Sequence, residues 1–262
     1  MSIRDELVKN ILNQDDKILI VKVIDFVEQV QKYFEPRFTQ FLDPSQIAKV
    51  KKVLNHFVDV KYLITGGING CERNIVAIYP CFMEDDEISL PIIPLRCLIN
   101  SKFENISHRD MLGSLMSLGI KREKIGDIII NNNECFIIVL SDISYYIKMY
   151  LSKIKHAYVI ADDIEFEKIP KTEQNFKIIT SNVSSLRLDS ILSSGFGESR
   201  SSLSSEIRKG NVKVNWDEVR DLSRIIFEGD TISLKGKGRI LVESIGSITK
   251  KGRINIIIKK II

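Results

Sequence analysis

The chain has 262 residues, of which 44% are apolar and 27% charged, a composition typical of globular proteins that allows one to three domains. No apolar run reaches the roughly 18 residues of a membrane helix, and the segment MSIRDELVKN lacks the apolar core of a secretory signal. We therefore expect a cytoplasmic protein, or a plastid stromal one if the source is a eukaryotic phototroph. The absence of CxxC spacing argues against structural zinc and predicts reduced thiols at Cys71, Cys81, Cys97 and Cys135.

The positive charge is concentrated in the last third of the chain. Residues 181–262 contain fifteen Lys and Arg against nine Asp and Glu, whereas residues 1–180 contain 23 against 25. A basic segment attached to a nearly neutral one is typical of nucleic-acid-binding proteins. Charge alone leaves open the alternative of a basic, solvated surface without a partner.

Residues 1–57 predict a small helical domain. Pro36 is expected to end a first long helix, and Asp43 is expected to cap a second helix that begins at Pro44. The first helix has apolar residues on one face, at Ile20, Val23, Ile24, Val27 and Val30.

Residues 58–165 predict a small α/β domain. Two helices are expected at 108–119 and 141–154, the first capped by Ser107. Strands are expected around 60–67, 74–80, 91–99, 125–131, 135–141 and 157–163, with a turn at Asn131–Asn133. This alternation predicts an RRM-like or ferredoxin-like sandwich. The polar residues 166–181, which include Pro170, predict a linker.

Residues 182–262 predict a third domain, with two short helices followed by glycine-punctuated β segments. The apolar faces of these helices leave their arginines and serines on the solvent side. Arg offers a planar, permanently charged fork that suits phosphate oxygens, and small hydroxyl side chains let an RNA backbone approach closely. Serines that act only as helix caps and solvated filler are the alternative.

The order of residues in this domain resembles the S4 RNA-binding domain over residues 183–245. RLD at 187–189 opens the first helix, SR at 199–200 opens the second, and the segments VKVN at 212–215 and GDTI at 229–232 follow. Trp216 departs from the pattern, since the family usually has glycine there, and it offers either an exposed ring for base stacking or a packing residue. The predicted fold class is α+β, with an N-terminal helical segment, a central RRM-like or ferredoxin-like domain and a C-terminal S4 domain.

The S4 resemblance implies a module whose two helices lie on the backbone of structured RNA. Asp189 is expected to orient a neighbouring arginine. The residues carried over as RNA contacts are Arg187, Ser199, Arg200, Ser201, Arg208 and Lys209. Further basic candidates in the β segments are Lys213, Lys235, Lys237 and Arg239.

The middle of the chain is similar to the YlmH family of S4 proteins. TGGINGCERNIVAIYP at 65–80 matches its GG-x-x-G-x-E-R pattern, and ISHRDMLGSLMSLGIKREKIGDIII at 106–130 matches its HRD, LGI and GDI pattern. With the S4 match, the resemblance covers residues 60–250. A second RNA contact is expected in this region, at His108, Arg109, Lys121, Arg122 and Lys124.

The family resemblance implies a non-catalytic protein that grips rRNA or tRNA on the large ribosomal subunit, near peptidyl-tRNA, in the rescue of stalled ribosomes. A cyanobacterial and plastid branch of the family is named for photosystem II. The alternative is therefore a factor for photosystem II assembly, or for organellar or cyanobacterial gene expression, that uses the same RNA-binding surface. An undetected RNA-modifying enzyme is a third hypothesis.

Known enzyme motifs are incomplete in this chain. His108-Arg109-Asp110 spells the kinase catalytic tripeptide but lacks its downstream partners, and the glycines at 66, 67 and 70 lack the GK[ST] of a P-loop. Pseudouridine synthases carry a separate GRLD motif in a much longer catalytic domain, whereas the only RLD here belongs to the S4 match. Tyrosyl-tRNA synthetases need an HIGH-type motif, which is absent, and residues 148–153 only approximate KMSKS. We expect no enzyme activity, cofactor or metal.

Overall fold

A computed structural model describes residues 3–9, 11, 13–100, 106–131, 134–170, 176–249 and 252–261. The chain forms two compact units, Met1–Lys171 and Thr172–Ile262. The finer boundaries predicted at residues 57, 165 and 181 stay a prediction. Among the helices that the structure describes, none is long and apolar enough to span a membrane.

The first unit begins with three helices and a three-stranded antiparallel sheet of order β1-β3-β2. The Asn13 side chain caps the second helix, and the five apolar positions predicted on its face are all buried. The third helix has the predicted Asp43 cap, which is completed by Gln46 in a capping box. The elements are α1 (Ile3–Lys9), α2 (Gln14–Tyr33), β1 (Arg37–Phe38), α3 (Pro44–Leu54), β2 (Val60–Thr65) and β3 (Ile75–Pro80).

The same unit continues with a five-stranded antiparallel sheet of order β5-β6-β4-β8-β7, which has the ferredoxin-like arrangement with one added edge strand. Its elements are β4 (Ile92–Asn100), α4 (His108–Ser117), β5 (Ile125–Asn131), β6 (Glu134–Leu140), α5 (Ser141–Tyr150), β7 (Lys153–Ile154) and β8 (Ala157–Asp163). The Ser107 cap of α4 is present. Residues 132 and 133 of the predicted turn lie outside the described residues.

The two faces of this sheet have different neighbours. The helices α4 and α5 cover one face, where Leu95 and Ile137 join Met111 and Ile147 in one apolar core. On the other face, Phe136 and Ile138 are buried with Phe41, Ile75 and Ile169. Much of the face that binds single-stranded RNA in RRM domains is therefore covered by this chain's own residues.

The second unit is a six-stranded antiparallel sheet of order β11-β10-β12-β13-β14-β9 with two helices on one face. Its elements are β9 (Phe176–Val183), α6 (Leu188–Phe196), α7 (Arg200–Arg208), β10 (Val212–Val214), β11 (Asp217–Glu218), β12 (Thr231–Leu234), β13 (Gly238–Ile248) and β14 (Ile254–Ile261). Residues 176–181, assigned above to the linker, form most of β9. They pair along β14, where Ile179 lies opposite Ile258. This pairing was not apparent from the local sequence because half of the residues of the strand are polar.

Candidate RNA-binding surface

The start of α6 places Arg187 on the surface of the second unit. Arg187 is the residue before the helix, and the Leu188 N–H donates to the Arg224 carbonyl at 2.9 Å. The Arg187 side chain is 45% exposed, and its Nε donates to Oδ1 of the nearly buried Asp189 at 3.3 Å. The carboxylate therefore holds the guanidinium at its Nε and leaves much of the group exposed to a ligand.

The helix α7 presents small hydroxyls and cations to solvent. Leu203 and Ile207 face the core with no exposed surface. On the outer side lie Ser201, Ser202, Ser205, Arg208 and Lys209, all exposed. With side chains this short, the outer face of α7 offers little steric barrier to a nucleic-acid backbone.

The first turn of α7 is ordered by its own hydroxyls. Ser199 Oγ accepts from the Ser202 N–H at 3.3 Å and lies 3.1 Å from Ser201 Oγ. The Arg200 guanidinium donates to Ser184 Oγ, 3.2 Å away, just beyond the end of β9. Ser184 has no signal in the sequence, because the fold alone brings it to a residue sixteen positions away.

The turn between β12 and β13 lies beside both ends of α7. The Lys235 N–H donates to the Asn211 carbonyl at 2.9 Å, just after the helix. The Lys237 ammonium contacts the Glu198 carboxylate, just before the helix. We group the candidates at the two helices with the two in this turn and call the group the helix surface: Arg187, Ser199, Arg200, Ser201, Arg208, Lys209, Lys235 and Lys237.

Glu206, like Asp189 and Glu198, modulates the charge of the helix surface. Glu206 accepts from the Asn211 amide at 2.7 Å and from Lys209 at 3.0 Å. These hydrogen bonds, that of Asn211 first, lower the pKa of Glu206, so the carboxylate stays ionised. The charge of Lys209 is thus partly neutralised. The side chain of the adjacent Arg208 is exposed to solvent.

The remaining two candidates, Lys213 and Arg239, lie on the other face of the sheet. Val212, Val214 and Ile240 are buried in the core beneath the helices. Because side chains alternate along a strand, Lys213 and Arg239 point to the outer face. Both flank Ser233 in one cross-strand row. The structure therefore divides the ten predicted contacts into eight on the helix surface and two on the opposite side.

Asn215 and Asp230 of the S4 pattern hold the hairpin turn that precedes β11. The Asn215 amide donates to Asp230 Oδ1 at 2.7 Å, and its carbonyl oxygen accepts from the Thr231 N–H at 2.9 Å. Asp230 Oδ2 accepts from the Phe227 N–H at 2.8 Å. These two motif residues are structural rather than ligand-binding in this geometry.

The motifs of the first unit also have structural contacts. Asp127, in the GDI motif, accepts the N–H groups of Glu72 and Arg73 at 2.8 and 2.9 Å. The Arg73 guanidinium donates to the carbonyls of Ile125 at 3.2 Å and Phe41 at 2.7 Å. The matched glycine-rich loop and the GDI strand are therefore joined to each other.

The five predicted residues of a second RNA contact have different environments. His108 and Arg109 are exposed in the first turn of α4, and Lys121 is exposed near its end. The Arg122 guanidinium donates to the carbonyls of Ile125 and Gly126, and burial lowers its pKa to about 10. Lys124 pairs with Asp142 at 2.5 Å. His108, Arg109 and Lys121 are thus exposed at the surface, and Arg122 and Lys124 bind the protein itself.

The described residues contain no group of three or more His, Cys, Asp or Glu side chains that could hold a metal ion. All four cysteines are free thiols. Burial raises the pKa of Cys71 to about 11 and that of Cys97 to about 12, so neither is an activated nucleophile.

Comparisons with known proteins match three consecutive regions. A family model described as "YlmH, N-terminal" matches residues 15–81, one described as "Putative RNA-binding domain in YlmH" matches residues 85–168, and the S4 domain matches residues 186–232. One of the three descriptions names an RNA-binding domain.

Two relatives match over long stretches. A Bacillus subtilis protein named "Ribosome-associated protein quality control protein P2" is 30% identical over 240 residues, which cover 92% of this chain and 93% of the relative. A solved structure titled "Cell division protein ylmH from Streptococcus pneumoniae" is 23% identical and superposes with a TM-score of 0.50. It covers 62% of this chain and 98% of that one, and it supports the fold alone. The chain therefore belongs to the YlmH family of S4-domain proteins.

Proposed function

We propose that this protein is a non-catalytic RNA-binding protein that grips structured rRNA or tRNA with the helix surface. The observation that carries the proposal is the outer face of α7, where short hydroxyl side chains stand between Arg200 and Arg208. Double-helical RNA is read mostly by shape and by contacts to phosphate and ribose hydroxyls. Exposed arginine guanidinium groups, separated by short serine side chains that can form hydrogen bonds, suit contacts to such a backbone.

The adjacent turn extends this surface. Lys235 and Lys237 lie beside the two ends of α7 through their contacts to Asn211 and Glu198. A strand of RNA backbone that follows α7 therefore meets cations along its length. The exposed His108, Arg109 and Lys121 supply a second contact on the first unit, and two contacts on one chain raise the effective concentration for a composite target.

We propose that the protein acts in the cytoplasm on the large ribosomal subunit, in translation or in ribosome quality control. The name of the Bacillus subtilis relative supports the ribosome as target. No observation favours the photosystem alternative over it.

The test is crosslinking of the protein to RNA in its own cells, followed by sequencing of the bound RNA. Arg200→Glu and Arg208→Glu should lose reads on large-subunit rRNA and tRNA. Arg253→Glu makes the same charge change at an exposed residue just before β14, outside the helix surface, and this variant should keep the reads. Reads that persist in both helix variants would contradict the proposed surface. Reads confined to photosystem or organellar transcripts would move the function to the alternative.

An in vitro titration tests the contact itself. Each lost phosphate contact should reduce the slope of log affinity against log salt by about 0.9 for duplex-like RNA. Arg208→Gln, which removes an exposed charge from α7, should therefore lower both affinity and slope for an rRNA hairpin. An unchanged slope would show that Arg208 does not meet a phosphate.

A further inference from the structure

The turn between β10 and β11 holds the chain's single tryptophan in a backbone conformation that side chains rarely adopt. Asn215 and Trp216 have φ of +49° and +69°. Two central residues with positive φ define the type I′ hairpin turn, for which Asn-Gly is the preferred pair. Asparagine fits the first position, but the second favours glycine, because a Cβ is disfavoured in the left-handed region.

Asn215 makes hydrogen bonds that hold this turn. The conformation is held by Asn215, whose backbone N–H donates to the Thr231 carbonyl at 2.8 Å and whose side chain bonds Asp230 and the Thr231 N–H. A glycine at position 216 would keep all of these bonds and relieve the strain. Strain that the surrounding bonds impose on a bulky residue points to a role for that residue's side chain.

The ring lies against a cation on the outer face of the sheet. The Arg239 guanidinium carbon is 5.4 Å from the centre of the Trp216 ring. Lys213 lies two strands from Arg239 in the same cross-strand row, about 10 Å away at the usual spacing of strands. The helices α6 and α7 cover the other side of the sheet, so this row is separate from the helix surface.

We propose that Trp216, Arg239 and Lys213 form a site for one unpaired nucleobase and the phosphate beside it. Bases stack on aromatic rings such as an indole and on guanidinium planes, and stacking on a ring tolerates any base. Lys213, in the same row, supplies a compact positive charge for that phosphate. The site rests on the proposed RNA-binding function and adds to it: the target has a single-stranded nucleotide next to the structured region that the helix surface grips.

The experiment uses Trp216 as its own reporter, since no other tryptophan contributes to the fluorescence. The full chain is titrated with three RNAs: a blunt hairpin from large-subunit rRNA, the same hairpin with a three-nucleotide single-stranded extension, and the extended hairpin with abasic sites in the extension. Affinities are measured in parallel by anisotropy of a labelled RNA. Trp216→Gly, Arg239→Gln, Lys213→Gln and Arg200→Glu are compared with the native chain.

The extended hairpin should quench the Trp216 fluorescence and bind at least about fivefold tighter than the blunt one, as expected for one stacked base. The abasic extension should lose both effects. Trp216→Gly should fold at least as stably as the native chain and bind the extended and blunt hairpins equally. Lys213→Gln should weaken only the extended hairpin.

Two outcomes would overturn the inference, and they can be told apart. If the blunt hairpin binds in an Arg200-dependent way but the extension neither quenches the indole nor gains affinity, the nucleobase site is wrong and the proposed function stands. If none of the RNAs binds the native chain, both fail.

Discussion

The Asp127 carboxylate accepts the backbone N–H of Arg73 at 2.9 Å, across 54 positions of sequence. The same carboxylate accepts the preceding N–H, that of Glu72. The Arg73 guanidinium in turn reaches the Ile125 carbonyl, two residues before Asp127. Two motifs of the family are thus reciprocal partners, and together they attach the loop before β3 to the strand β5.

Removing this carboxylate should destabilise the first unit. Asp127→Ala leaves two partly buried N–H groups without their charged acceptor, which is expected to lower the free energy of unfolding by about 2 kcal/mol. Urea denaturation of the full chain measures the change. Asp86→Ala removes an exposed carboxylate and should change stability by less than about 0.5 kcal/mol. Equal effects of the two substitutions would refute the role given to Asp127.

Two glycines of the first unit should respond in opposite directions to the same substitution. A Cβ on Gly126 would lie 2.6 Å from the Phe41 ring, whereas one on Gly113, in the middle of α4, would meet nothing within 4 Å. Gly126→Ala should therefore lower the stability by about 1–3 kcal/mol through overpacking. Gly113→Ala should raise it by about 0.5–1 kcal/mol, because alanine is the better helix former. Thermal unfolding of both variants gives the sign directly.

The sequence predicts local features of this fold well, and contacts between distant residues poorly. The caps at Asp43 and Ser107 and the buried stripe on α2 follow from spacing within one helix, and they are present. Neighbouring residues do not reveal that β9 pairs with β14. The same limit applies to the site: Arg109 and Arg122 look alike in the sequence, and only the fold buries the second against backbone carbonyls.

Substitutions of Arg122 and Arg109 should have different effects, the first on stability and the second on RNA binding. Arg122→Gln removes donors to the Ile125 and Gly126 carbonyls, so it should lower stability by about 1–3 kcal/mol and leave RNA affinity unchanged once the protein is folded. Arg109→Glu changes an exposed side chain, so it should leave the unfolding midpoint within experimental error and weaken RNA binding. A binding assay below the unfolding temperature of both variants decides the matter. If Arg122→Gln alone loses RNA affinity, then Arg122 and not Arg109 contacts the RNA.

The cap of α4 gives a prediction for acid pH. Hydrogen bonds from Lys155, at 2.7 Å, and from Ser107 lower the pKa of Asp110 to about 2. Because this pKa is lower in the folded protein than in the unfolded chain, the carboxylate's contribution to stability is present above about pH 4 and is lost as the pH falls towards 2. Lys155→Met should raise the pKa of Asp110 towards its ordinary value and weaken this dependence. Carboxyl-carbon NMR titration of Asp110 measures the pKa, with Lys153→Met as the control, since Lys153 lies over the Tyr158 ring instead. If Asp110 titrates at the same pH in the native chain and in Lys155→Met, its pKa is set by the Ser107 cap and not by the lysine.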